Sequence, residues 1–127
     1  MTLKECISQV QQMRAPAVEA PRIINSIQRI EQRVKKEIID AAADGDSYTF
    51  TDYTAASPED TVLLAPDPYS EIYVWGCIYA IDLLRNNATN TNNSYAMFTD
   101  AWDRFAAYWR RNHIPPENKL HSDIYDI

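Results

Sequence analysis

Residues 69 to 84, YSEIYVWGCIYAIDLL, constrain this chain more than any other stretch, because a helix of that length would carry apolar side chains on almost every face. A helix of this kind has to be covered on more than one side, so the remaining residues must supply the elements that surround it. Its start is marked by Ala65-Pro66-Asp67-Pro68, where Asp67 is the expected N-cap and Pro68 the expected first helical residue. Gly76 costs about 1 kcal/mol against alanine in a helix interior, so a close helix crossing is the expected reason for it. Cys77 reads as core. The longest apolar run, Ile72 to Ile81, is half of the ~20 residues that a membrane helix needs.

The covering elements are legible as helices. Thr2 and Glu5 match a capping box, and Leu3, Ile7 and Val10 follow at helical spacing, which predicts a helix from about Leu3 to Met13 that ends at Arg14-Ala15-Pro16. Cys6 lies beside its apolar stripe as a small buried hydrophobe. Pro21 suits the first turn of a second helix, in which Ile23, Ile27, Ile30, Val34, Ile38 and Ala41 recur at steps of three and four. On a stripe well separated from these stand Arg22, Arg29, Arg33 and Lys36, with Asp40 at its end. Spaced ion pairs of a few tenths of a kcal/mol each are expected between Glu31 and Lys35 and between Arg33 and Glu37. The basic stripe has two readings, a solvated face or an interface for an acidic partner such as a neighbouring subunit.

After Asp44-Gly45-Asp46 the period changes. Tyr48, Phe50 and Tyr53 alternate with threonines, and Thr61 to Leu64 form a second β-prone run, so residues 44–66 are expected to hold a short hairpin. Asn86, Asn87, Asn90, Asn92 and Asn93 suit a turn into a fourth helix beginning near Thr91. Met97, Phe98, Ala101, Trp102, Phe105, Tyr108 and Trp109 give that helix one broad aromatic face, to pack antiparallel along the third. His113 to Pro116 stop it, leaving residues 114–127 as a tail with Leu120, Ile124, Tyr125 and Ile127 as apolar hooks. The expected fold is mainly α: one domain over 1–127, a small bundle of about four helices with a β-hairpin inserted between the second and third.

Charge and composition exclude several functions. With 127 residues the chain suits one domain, and its two glycines, Gly45 and Gly76, cannot form a phosphate-cradling loop. Two cysteines are too few for a disulfide framework, and no basic-then-apolar leader opens the chain, so a reduced, soluble, cytosolic protein is expected. The net charge of −6 is local: residues 44 to 82 hold eight acidic side chains and no Lys or Arg. Such a segment repels a phosphate backbone and argues against ordinary nucleic-acid binding.

Catalytic patterns are sparse. Asp67 with Glu71 and Asp100 with Asp103 each share a helix side, as metal or acid/base chemistry would use, but no histidine lies near them. His113 and His121 are too far apart for a local ligand pair. Tyr108-Trp109-Arg110-Arg111 mixes aromatic and basic groups as single-stranded nucleic-acid sites do, yet a core position and a helix C-terminus account for these residues. No enzyme, metal or cofactor is expected.

The second half carries a family likeness: Leu64-Ala65-Pro66-Asp67-Pro68-Tyr69, then Tyr73, Ile81-Asp82, the Asn92-Asn93-Ser94 turn, Met97-Phe98, Trp102 to Phe105, and Tyr108. It resembles the head-to-tail connector, or adaptor, proteins of tailed bacteriophages and prophages of Gram-positive bacteria. The opening Met1 to Glu5 and the Ile27 to Ile38 stretch resemble the usual start and second helix of that group. Thr91 departs from it, standing where a tyrosine is typical, and the asparagine-rich turn is longer. The resemblance implies a helical subunit of the virion neck, made in the host cytoplasm, that joins a ring below the portal protein and presents a surface to other neck or tail-completion proteins. It implies passage of DNA without specific binding, and it supplies no catalytic residues. Two further readings are a helical protein-binding module, such as a phage-encoded regulator of a host protein, and a metal-dependent enzyme using Asp67, Glu71, Asp100 and Asp103.

Overall fold

The structure is a computed structural model, and it describes residues 1–39 and 52–112. Four α-helices are present among the described residues: α1 (Leu3–Met13), α2 (Ala20–Val34), α3 (Glu71–Leu84) and α4 (Ala88–Asn112). The mainly helical bundle expected from the apolar periodicity is what forms.

Local chemistry explains where α1 and α2 begin. The Thr2 hydroxyl accepts the Glu5 amide at 3.2 Å and the Glu5 carboxylate accepts the Thr2 amide at 3.4 Å, so two amides left free at a helix start are satisfied reciprocally. Leu3, Cys6 and Val10 then turn inward. In α2, Pro21 sits in the first turn and Ile23, Ile24, Ile27, Ile30 and Val34 are buried. The helix widens at its end into a π-helical turn, Lys35–Ile39, which brings the adjacent side chains Ile38 and Ile39 both into the core.

α3 is the central element, packed against α1, α2 and α4. The antiparallel pairing with α4 is fixed at both ends by aromatic contacts, Tyr69 stacked on Tyr108 at 4.3 Å and Tyr79 against Tyr95 at 5.3 Å. Gly76 lies at the crossing: a Cβ there would stand 2.4 Å from Ile30 Cδ1 and 3.1 Å from Phe98 Cε1. Two helices therefore close on α3 at the one residue without a side chain, as its place in the apolar run led us to expect.

Three expectations are corrected. The hairpin between α2 and α3 is not supported. Of its two runs, Tyr48 to Phe50 lies outside the described residues, and the other pairs with the start of the chain instead, through a bridge between Val62 and Thr2 and the bonds Leu3 N–H to Thr61 O and Leu63 N–H to Met1 O, both 2.9 Å. That pairing satisfies the backbone of 61–63 without a second local strand. The third helix begins at Glu71, not Pro68: Tyr69 N–H closes a turn on Pro66 O at 2.7 Å, and the Asp67 carboxylate accepts the Ser70 hydroxyl rather than a helix amide. The fourth begins at Ala88, so of the asparagines only Asn86 and Asn87 make the turn. Asn86 adopts φ 57°, and Asn87 Oδ1 accepts the Asn90 amide at 3.0 Å.

Candidate functional site

Two buried polar clusters set the framework. Glu31, whose spacing predicts an ion pair with Lys35, is buried between hydroxyls from two other segments, Tyr53 donating to Oε2 at 2.7 Å and Tyr73 to Oε1 at 2.8 Å. Tyr73 Oη in turn accepts the Ala65 amide at 2.9 Å. Burial raises the Glu31 carboxyl above its usual range, against the lowering effect of the hydroxyls and the Leu64 amide, and burial beside that carboxylate pushes both tyrosines up. The cluster is closed to solvent, with Glu31 3%, Tyr53 4% and Tyr73 0% exposed, so it holds residues 53–65 onto α2 and α3 and admits no substrate.

The second cluster joins α1, α3 and α4. Asp82 is buried in α3, where Arg14 Nε and Nη2 donate to its two oxygens at 2.7 and 3.0 Å and Ser94 Oγ donates at 2.8 Å. The Arg14 hydrogen bonds hold its carboxyl below the usual range despite burial, and Ser94 adds to the effect. Next to it Arg85 donates to the carbonyls of Ala15 at 3.2 Å and Pro16 at 2.6 Å, while Gln11 Nε2 donates to Val18 O at 2.9 Å. The α1–α2 connection is thereby pinned against the end of α3.

This pinning shapes a groove. Between α2 and the C-terminal half of α3 lies an open depression of about 750 Å³, with Val18 on one wall, Ile23, Cys77, Ala80 and Ile81 within, and Leu83 and Leu84 along the α3 side. Leu83 is 51% and Leu84 80% exposed, which is unusual for the end of a helix otherwise apolar and buried. Three arginines rim it: Arg22 and Arg29 from α2 and Arg85 from α3. Apolar side chains, the polar Asn25 and Ser26 and a cationic rim thus meet on one open surface.

The predicted basic stripe is divided by the structure. Arg22 and Arg29 are exposed and line the groove. Arg33 instead lies over the rings of Trp102, at 4.4 Å from its centroid, and Phe98, at 5.7 Å, and pairs with Glu37 as its spacing led us to expect. Lys36 is exposed in the π-helical turn, and Asp40 lies outside the described residues. Arg85 and Leu84 escaped sequence reasoning, which counted α3 as covered on more than one side without saying where it is left open. Their one signal is the Leu83-Leu84-Arg85 run at the end of that helix.

The acidic stretch 44–82 is not one surface. Asp44 and Asp46 lie outside the described residues; Asp52 accepts Gln28 Nε2 at 2.8 Å, Asp67 pairs with Ser70, and Asp82 is neutralised by Arg14. Of the carboxylates weighed for catalysis, Glu71 and Asp100 are both bridged by Arg104, at 3.5 and 2.9 Å. Among the described residues no three His, Cys, Asp or Glu side chains group as a metal site would require. Cys6 and Cys77 are buried free thiols, and the neighbouring Cys6 together with burial pushes the Cys77 thiol well up, away from reactivity. His113, His121 and the tail lie outside the described residues. No helix among the described residues is long and apolar enough to cross a membrane.

Compared with family models, with curated proteins and with solved structures, the chain gives no match.

Proposed function

We propose that the chain is a non-enzymatic structural subunit of a phage neck, a head-to-tail connector that docks below the portal protein as part of a ring. The observation that carries an assembly role is the groove, an apolar depression rimmed by Arg22, Arg29 and Arg85 with Leu83 and Leu84 exposed on its edge. A surface of that composition is suited to a protein partner. The connector identity is supported by the resemblance of the α3–α4 region, whose residues Tyr73, Phe98 and Phe105 are buried in the core and whose Tyr69 and Tyr108 stack on each other. The partners are the portal protein, other neck or tail-completion proteins and further copies of the chain, met in the virion neck, with the host cytoplasm as the protein's place before assembly.

The same groove would serve a helical binding module that regulates a host protein. Electron microscopy of an induced lysate from a host whose copy of the gene is deleted separates the two readings. Filled or leaking heads beside separate, finished tails are the expected result. Normally joined particles would overturn the connector reading and leave the regulator.

A further inference from the structure

We infer that the groove between α2 and α3 is the seat for residues 120–127 of a second copy of this chain, so that each subunit offers a groove to one neighbour and a tail to another. The inference deepens the connector reading, on which it rests for the ring, by naming the contact from which the ring is built.

Charge and composition pick this occupant. The rim is cationic, and neither Arg22 nor Arg29 has an acidic partner among the described residues. Arg85 is held by two carbonyls and makes no direct ion pair among the described residues, Asp82 feeling its charge only at longer range. The segment Leu120–Ile127, LHSDIYDI, interleaves Leu120, Ile124, Tyr125 and Ile127 with Asp123 and Asp126 and contains no Lys or Arg. It offers aliphatic side chains to the floor and carboxylates to the rim. The acidic stretch 40–51 fits less well, because its ends are fixed at the fully buried Ile39 and at Asp52 on Gln28, and because its large apolar side chains are Tyr48 and Phe50 alone.

Geometry favours partners on different copies. The Tyr69–Tyr108 stack sets the last turns of α4 at the start of α3, whereas Leu83 and Leu84 are at its end. At 1.5 Å per residue, Asn112 is separated along the bundle from Leu84 by about 28 Å and from Cys77, at the near end of the groove, by about 18 Å. Residues 113–120 span at most about 27 Å, so Leu120 cannot reach its own Leu84, and a chain seated in its own groove would have to begin at the near end. A neighbour's groove makes no such demand. Because groove and tail are different patches of one subunit, the contact is heterologous, and it builds a ring where the rotation between successive copies closes.

The test uses a fluorescein-labelled peptide of residues 114–127, titrated by anisotropy into the full chain carrying Ile124→Asp and Tyr125→Asp in its own tail. Saturable binding is expected, weakened at least tenfold by adding Leu84→Asp and several-fold by adding Arg22→Glu, with circular dichroism unchanged. Leu84 is 80% exposed, so its substitution leaves the core intact, and the Arg22 variant gives a second readout. Absence of saturable binding, or binding indifferent to both substitutions, overturns the proposal. The unsubstituted chain at nanomolar concentration is expected to bind the peptide as well as the tail variant does. Binding more than tenfold weaker would show the groove filled by its own tail and overturn the contact between copies. The assay needs no particle, so its failure beside unjoined heads and tails removes this contact and leaves the connector reading standing.

Discussion

Arg14 and Asp82 stand 68 residues apart in the chain, yet Nε and Nη2 of one hold both carboxylate oxygens of the other at 2.7 and 3.0 Å. The pair sits where α1 ends and where α3 meets α4, with Ser94 completing the carboxylate's partners. It locks the α1–α2 connection, and so the wall of the groove, to the central helix.

Removing one member of this pair leaves the other charge poorly compensated. Asp82→Ala is expected to destabilise the chain by about 3 kcal/mol, the cost of breaking a buried pair, read as a lowered midpoint in urea unfolding. The sign with pH follows from the lowered carboxyl of Asp82. A depressed folded pKa contributes stability that is present above the ordinary carboxylate range and is lost as pH falls through the folded value. The Asp82 variant should therefore lose less stability than the parent between pH 5 and acid. An equal loss in both would mean that the pair does not carry the acid sensitivity.

Glu31 acts in the opposite direction. Its folded pKa is raised, so protonation favours the folded state, and its contribution grows as pH falls through the folded value toward the ordinary carboxylate range. Glu31→Gln keeps the shape and removes the buried charge but turns a donor amide toward one tyrosine hydroxyl, and should cost about 1 kcal/mol at neutral pH. Tyr73→Phe removes a donor to the carboxylate and the acceptor for the Ala65 amide, and should cost about 2 kcal/mol. Urea titrations at pH 5 and pH 8 check both, and a Gln variant less stable than the Phe variant would refute the assignment.

These two carboxylates also mark where sequence reasoning ends. The capping box of Thr2 and Glu5 is a local device, and the bounds of α1 follow from it with no knowledge of the rest of the molecule. Gly76 stands out because any glycine is costly in an apolar helix. Glu31 reads from spacing as an ion-pair partner for Lys35, since spacing alone ranks helix neighbours. The hydroxyls that donate to it, those of Tyr53 and Tyr73, are 22 and 42 residues away. Likewise Thr61 to Leu64 have the composition of a strand, but which backbone they meet is a tertiary matter, and here it is that of residues 1–3. Of the groove, Arg22 and Arg29 were legible from periodicity. Arg85 and the exposed leucines were not, because no local rule says which end of an apolar helix its neighbours leave uncovered.

The crossing at Gly76 gives a prediction with two opposed terms. Gly76→Ala gains about 1 kcal/mol of helix propensity, but its Cβ would press on Ile30 Cδ1 and approach Phe98, an overpacking that costs about 1 to 3 kcal/mol. Net destabilisation of about 1 kcal/mol is expected. Ile30→Val deletes the atom at 2.4 Å, so the double variant should be more stable than the sum of the single changes by at least about 1 kcal/mol. Additivity in the thermodynamic cycle would show that α2 does not close on this position.

The division of the basic stripe separates two arginines one helical turn apart. Arg33 is engaged within the subunit, by Trp102, Phe98 and Glu37, so Arg33→Ala should lower stability by about 1 kcal/mol as the ring contacts and the ion pair are lost. Arg29 lines the groove without such contacts, and Arg29→Glu should leave the unfolding midpoint within about 0.5 kcal/mol of the parent. On the proposed connector role the order reverses in the particle. Charge reversal at Arg29 would then meet the proposed carboxylates and should reduce the fraction of joined particles counted by electron microscopy, while Arg33→Ala should leave that fraction unchanged once folding is matched by temperature. Joining that is insensitive to Arg29→Glu would show that the basic rim takes no part in assembly.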